Sequence, residues 1–274
     1  KIVKTLKVSG PFNIQFLDWQ HSVNVIECNL RSSRSMPLVS KALNVNLMHM
    51  VTGVLLGDKK SPVPHPKPDF YTIKVPQFSF NKLRGADPVL RVEMASTGEV
   101  AGMGYDMHSA YLKAILSTGV KYPVHKTVFL SLGGARAKSA FLAHARTLGE
   151  KGFTIYTTSG THLFLKEYGI ASKRVGKIFE GIHPNAYDLL KEKKLDFLIV
   201  IPEKQTDHRS LSTFQKTLSD GYAIRCLAVD LGLPIFTITS SAQLFVDAVT
   251  RLSLEDLDIT RWSGYSIRKI ATTV

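Results

Sequence analysis

Three side chains near the amino terminus carry oxygen donors of the kind that hold hard cations: Gln15, Glu27 and Asn29. Divalent cations such as magnesium take carboxylate and amide oxygens and keep their other positions for water and phosphates. Glu27 and Asn29 flank Cys28, so on a strand they share a face, and a hairpin closing at residues 18–22 brings Gln15 beside them. Arg31 and Arg34 follow, and guanidinium groups grip phosphate or carboxylate oxygens in pairs. By themselves these residues leave two readings open: a phosphate-linked metal site, or a polar strand end with solvated arginines.

A second set is built for anions. Tyr156-Thr157-Thr158-Ser159-Gly160-Thr161 joins a predicted strand to a predicted helix. Unpaired amides at a helix N-terminus carry the positive end of the dipole, and hydroxyls and glycine there make a phosphate cradle. Ser131 ends the preceding strand, Arg136 and Lys138 follow it, and Lys177 offers a further point charge. Helix capping by the same hydroxyls is the competing reading. The nine histidines show no metal-ligand spacing, and no Gly-x-Ser-x-Gly elbow is present. Asp230 and Asp247 fall in helical patterns and read as exposed faces.

The elements that must position these residues follow from periodicity. Residues 10–17 and 23–26 read as paired strands, and 39–56 as one helix stopping at Gly57. Prolines 62, 64, 66 and 68 make residues 58–69 an extended surface insertion. A strand at 71–75 and a helix at 109–117 precede a boundary at 123–126. Beyond it strands 128–132, 153–157, 197–201 and 235–238 alternate with helices 139–151, 161–168, 221–231 and 242–252, the pattern of a parallel sheet wound with helices.

The chain has 274 residues, 44% of them hydrophobic, which is enough for one large core or two modest ones. Its +13 charge is scattered in twos and threes without aromatic interleaving, so small phosphorylated ligands fit it better than nucleic acid. Cys28 and Cys226 are expected to be buried thiols in a reducing compartment. No run approaches the ~20 apolar residues of a membrane span. A soluble cytoplasmic protein without membrane partners is the expectation.

The runs Gly10 to Phe16, Val25 to Ser35, Val39-Ser40-Lys41 and Glu93 to Val100 resemble the large-subunit synthetase of carbamoyl phosphate synthases. Specifically, roughly residues 1–120 are similar to the end of the second ATP-grasp unit, which phosphorylates carbamate. The resemblance implies that Gln15, Glu27 and Asn29 bind Mg2+ or Mn2+ bridging the ATP phosphates, with Gln15 and Glu27 also serving the nucleotide, and that Arg34 lies at the carbamate and phosphate end of the catalytic site. The remainder resembles the methylglyoxal-synthase-like (MGS-like) effector-binding domain of the same synthetases. It implies that Ser131, Lys138, Thr158, Thr161 and Lys177 contact a phosphorylated effector such as UTP, UDP or phosphoribosyl pyrophosphate. The run from Pro202 to Lys216 departs from the family's asparagine- or glycine-rich turns and leaves the effector open, a pyrimidine nucleotide being the first choice.

The fold implied is α/β: the C-terminal part of an ATP-grasp lobe, a mixed sheet with helices, over residues 1–123, then a wound parallel-sheet domain over 124–252 and a tail over 253–274. The function implied is that of an ATP-dependent ligase. It makes carbamoyl phosphate from bicarbonate, a nitrogen donor and ATP in pyrimidine biosynthesis, with the rest of the synthetase and a glutaminase domain or subunit as partners. Phosphoryl transfer depends on positioning, so a chain beginning after the nucleotide lid is expected to be inactive alone. The alternative is a stand-alone regulatory module for a phosphorylated metabolite. A lyase like methylglyoxal synthase comes last, because residues 157–161 hold no carboxylate base.

Overall fold

The computed structural model describes residues 1–58, 67–90, 96–176, 178, 181–202, 220–265 and 267–268. They fall into two compact units, one of Lys1–Tyr71 with Ile259–Val274 and one of Thr72–Asp258.

In the first unit α1 (Ile2–Leu6) leads to a hairpin of β1 (Asn13–Trp19) and β2 (Ser22–Asn29). Its turn is tighter than expected: Gln20 and His21 both have positive φ, 50° and 64°, the conformation a two-residue hairpin turn demands. The helix expected over 39–56 is two, α2 (Met36–Ala42) and α3 (Leu47–Leu55). Asn44 at φ 50° breaks the first, and Asn46 Oδ1 accepts from His49 N at 3.0 Å, which starts a new helix. Apolar spacing alone did not carry that capping signal. Of the proline-rich insertion, residues 59–66 lie outside the described residues, while β3 (Lys67–Pro68) pairs with the strand Ile267–Arg268 and Phe70 packs on Tyr265 at 4.9 Å. Residues 259–265 and 267–268, expected within a C-terminal tail over 253–274, thus belong to this unit. Cys28 is half-buried and Cys226 buried, and both are free thiols.

The second unit opens with β4 (Tyr71–Gln77), which pairs with β5 (Gly98–Gly104) and is followed by α4 (Met107–Leu116). Then come β6 (Thr127–Leu132), α5 (Gly134–Glu150), β7 (Thr154–Thr157), α6 (Ser159–Glu167), β8 (Lys173–Arg174), α7 (Ala186–Lys191), β9 (Phe197–Ile201), α8 (Asp220–Asp230), β10 (Ile235–Phe236) and α9 (Thr239–Arg251). The strands β10-β9-β6-β7-β8 form one parallel sheet in that order. Every residue of β9, Phe-Leu-Ile-Val-Ile, is buried, as a strand covered on both faces must be. One face packs Leu130, Phe141, Leu165 and Phe245 and the other Phe129, Leu189, Leu198 and Ile224.

The chain leaves β6 in one direction through β7 and β8 and returns to β9 on the other side. Such a reversal opens a crevice at the carboxyl ends of the central strands, where open α/β sheets bind ligands.

The expected boundary at 123–126 falls inside this unit. Val75 of β4 and Tyr111, Leu112, Ala114 and Ile115 of α4 join the same core as Phe245 and Val249 of α9. Gly102 makes this possible: a Cβ there would lie 2.2 Å from Ala110 O, so only glycine lets α4 close on β5. A strap also ties residues 85–87 to α8, with Asp87 taking two 2.7 Å bonds from the buried Arg225 and Asp230 accepting from Gly85 N at 3.1 Å.

Candidate functional site

The hairpin brings the three oxygen donors of the first unit together. Gln15 stands directly across from Glu27, and Asn29 Nδ2 donates to Glu27 Oε1 at 3.0 Å. A register irregularity between Gln15 and Phe16 bends the strand at this point. With its amino group turned to Glu27, Asn29 leaves its amide oxygen for another partner, so the set offers carboxylate and amide oxygens as a hard cation requires. Arg34 is exposed just before α2, and Arg31 donates to Ser32 O at 3.0 Å.

The candidate anion site lies at the carboxyl ends of β6 and β7. Thr161, 1% exposed, accepts from Leu132 N at 3.0 Å through Oγ1, which locks the first turn of α6 to the end of β6. That acceptor role leaves the hydroxyl proton for a ligand. Thr158 is the N-cap residue, extended at φ −69° and ψ 157°, and its side chain makes no capping bond, so its hydroxyl is uncommitted to the helix. Its carbonyl accepts from Thr161 N and His162 N, and the first-turn amides of Ser159 and Gly160 precede that ladder. Lys138, from the first half of α5, reaches over this turn: its Nζ lies 3.6 Å from where a Cβ on Gly160 would be, the one approach within 4 Å apart from the neighbouring residues 159 and 161 and the backbone of α6 itself. An ammonium thus stands beside the N-terminal turn of α6.

Not every expected residue joins it. Ser131 alternates with Leu130 and Leu132 and so leaves the sheet on the opposite face from Thr157, level with Val200. Lys177 lies outside the described residues, as do residues 203–216 of the divergent loop. Lys173 sits over the ring of Tyr156 at 5.6 Å, also across the sheet from Thr157.

Asp230 and Asp247 are not merely solvated: the first holds Gly85 N, and the second faces His144 Nε2 at 3.5 Å. His162 pairs with Ser172 and His183 with Asp188, whose carboxyl is held below its ordinary value by the Asn185 amide and by His183. Two hydroxyls of the Thr157 to Thr161 run, Thr157 Oγ1 and Ser159 Oγ, are buried without a hydrogen-bond partner.

A family model described as "MGS-like domain" matches residues 140–237, from within α5 to the loop after β10. The chain carries an MGS-like domain. Thr158, Thr161 and Gly160 lie inside the matched stretch, and β6 with Lys138 completes the same sheet and cradle just before it.

Over most of its length the chain is also similar to much longer proteins. It is 41% identical to multifunctional protein URA2 of Saccharomyces cerevisiae over 92% of the chain and 11% of that protein. To multifunctional protein CAD of Squalus acanthias it is 40% identical over 90% of the chain and 11% of that protein. With the mitochondrial carbamoyl-phosphate synthase [ammonia] of Homo sapiens the figures are 38%, 99% and 18%. The chain thus spans between a tenth and a fifth of these relatives and corresponds to the segment of a carbamoyl-phosphate synthase polypeptide that includes the MGS-like domain. The α/β fold with a wound parallel sheet agrees with the resemblance read from the sequence.

Proposed function

We propose that the MGS-like domain binds a phosphorylated effector at the N-terminus of α6 and regulates carbamoyl phosphate synthesis by the larger polypeptide to which the chain corresponds. The observation carrying this reading is the Lys138 ammonium placed over the open first turn of α6, at the carboxyl ends of the central strands. Thr158 and Lys138 bind the anion, and Thr161 fixes the turn and offers its proton. The sequence resemblance extends this reading to the glutamine-hydrolysing enzyme of pyrimidine biosynthesis in the cytoplasm, with a pyrimidine nucleotide as effector and a glutaminase domain or subunit as partner, and the multifunctional character of two relatives accords with further catalytic domains.

In the first unit Gln15, Glu27 and Asn29 would hold Mg2+ or Mn2+, and Arg34 would meet phosphate. When bound, the cation supplies charge neutralisation for the ATP phosphates. Glu27 keeps its carboxylate aligned through Asn29 Nδ2, and Gln15 faces it across the hairpin. This reading assigns ATP and carbamate chemistry to the whole polypeptide.

Calorimetric titration with UTP, UDP, IMP, phosphoribosyl pyrophosphate and N-acetylglutamate tests the regulatory reading. Saturable binding of a phosphorylated member, weakened about ten- to a hundredfold by Lys138→Ala, is the expected result. Binding of N-acetylglutamate alone would overturn it. In the complete enzyme Glu27→Gln should lower phosphoryl transfer roughly a hundredfold or more while the fold persists.

A further inference from the structure

Helices α5, α6, α7 and α8 end in the same arrangement: the two residues after the C-cap donate back to carbonyls of the final turn, and the first of the two is left-handed. At α5, α6 and α8 that residue is Gly152, Gly169 and Gly232, at φ 81°, 69° and 67°. At α7 it is Lys193, at φ 51°, with Lys193 N on Leu190 O at 3.1 Å and Lys194 N on Leu189 O at 3.2 Å. A Cβ crowds the backbone in this conformation, so glycine is what local sterics select. Lys126 repeats the exception at φ 52° in the turn before β6. A side chain held on a costly backbone conformation points to a use for that side chain.

Both lysines lie on the amino-terminal rim of the parallel sheet, the end opposite the α6 junction. Lys126 precedes β6, Lys151 precedes β7, and Lys193 and Lys194 precede β9, and these strands run side by side in the order β9-β6-β7. The rim is continuous: Thr154 N donates to Lys126 O at 2.8 Å, Lys126 Nζ to Lys151 O at 3.2 Å, and Asp196 N to Thr127 O at 3.1 Å. Of the carboxylates here, Asp196 accepts from the amides of Val124, His125 and Thr127 and from Thr127 Oγ1, Glu192 pairs with Lys194, and Glu150 is exposed at the end of α5. Among the described residues Lys126, Lys151 and Lys193 are exposed and meet no carboxylate.

We infer that this rim docks an acidic, extended segment of the larger polypeptide to which the chain corresponds. Neighbouring strands are ~4.8 Å apart, so lysines at three adjacent strand starts span about 10 Å. An extended peptide repeats a side chain on one face every ~6.7 Å, so two or three alternating Asp or Glu residues match that span. Exposed ion pairs each contribute little in free solution, whereas a segment on the same polypeptide meets the rim at high effective concentration. The chain spans between a tenth and a fifth of its long relatives, which leaves ample polypeptide to supply such a segment. Single-stranded nucleic acid fits less well, because its grooves add exposed rings on which bases stack. Here Phe153 is buried, and Tyr122 is half-buried with its hydroxyl on Leu252 O at 2.8 Å.

The test titrates oligoglutamate and oligothymidylate at low salt into the 274-residue chain, its Lys126→Gln, Lys151→Gln and Lys193→Gly variants and their triple combination, and the complete enzyme. Oligoglutamate should bind the chain saturably, with an affinity that falls as salt rises. Each single variant should weaken it about two- to fivefold and the triple variant about tenfold or more, while Lys193→Arg keeps parent affinity. Lys193→Gly relieves the left-handed backbone, so this variant should melt no lower than the parent even as binding weakens. In the complete enzyme the tethered segment occupies the rim, and added oligoglutamate should bind at least tenfold more weakly than to the chain. Parent affinity in the triple variant, or no saturable binding to the chain, would overturn the inference. So would a lower melting temperature in Lys193→Gly with affinity intact, which assigns Lys193 a structural role. Equal affinity of chain and complete enzyme would place the partner outside the polypeptide, and tighter oligothymidylate binding lost in the triple variant would make the rim a nucleic-acid site; either result rejects the docking proposed.

Discussion

Thr161 Oγ1 accepts a 3.0 Å hydrogen bond from Leu132 N, joining the first turn of α6 to the carboxyl end of β6. One side chain therefore fixes the first turn of α6 beneath the proposed anion site and satisfies a backbone donor in the core. Thr161→Val keeps the shape and strands the Leu132 amide, which should cost ~1–3 kcal/mol of unfolding free energy. Thr161→Ser should restore most of it. Urea denaturation of both variants checks this, and equal stability of Thr161→Val and the parent would show that the bond carries no weight.

The strap from residues 85–87 to α8 should be energetically important because Arg225 is buried. Its guanidinium meets both oxygens of Asp87 at 2.7 Å. Removing one partner leaves a charge without its counterion, so Asp87→Ala should destabilise by ~3 kcal/mol. Asp87→Ala combined with Arg225→Met should recover much of that loss, because no buried charge remains. A double-mutant cycle in denaturant measures the coupling.

Two glycines should respond in opposite directions. At Gly102 a methyl group would lie 2.2 Å from Ala110 O and 2.6 Å from Ala114 N, so Gly102→Ala must force β5 away from α4. A loss of roughly 3 kcal/mol or more is expected, with backbone, not side chain, having to move. Gly149 near the end of α5 has open space around it and no left-handed backbone, so Gly149→Ala should stabilise by about 0.5 kcal/mol. Thermal melts of the two variants should move in opposite directions.

Alkaline stability should depend on Tyr111, whose phenol is pushed up by burial to about 12 from 10.0. The neutral form is favoured by folding, so its contribution is fully present below pH 10.0 and is lost as pH rises toward about 12. The slope of unfolding free energy from this group approaches about −1.4 kcal/mol per pH unit in that window. Tyr111→Phe should flatten the decline there. An unchanged pH profile would locate the alkaline sensitivity elsewhere.

Sequence by itself determined whatever rests on local chemistry. The apolar run of β9 and the helix-length segments between strands specify a sheet covered on both faces, since a strand period and a helix period cannot be exchanged. The positions of Glu27 and Asn29 around Cys28 fix a shared face, and the Thr157 to Thr161 run fixes hydroxyls and glycine at a strand-to-helix junction. The interruption between α2 and α3 was also written locally, in Asn44 and Asn46, but apolar spacing masked it.

Tertiary structure decided the rest. Asp87 and Arg225 are 138 residues apart and Leu132 and Thr161 29 apart, and neither pairing leaves a periodic trace in the chain. The assignment of β4, β5 and α4 to the sheet's compact unit depended on Gly102 permitting a close approach and on α4 sharing a core with α9. Only packing could show that Thr157 and Ser159 are buried without partners. Burial and partnership belong to the neighbours a residue meets after folding, and those neighbours come from distant parts of the chain.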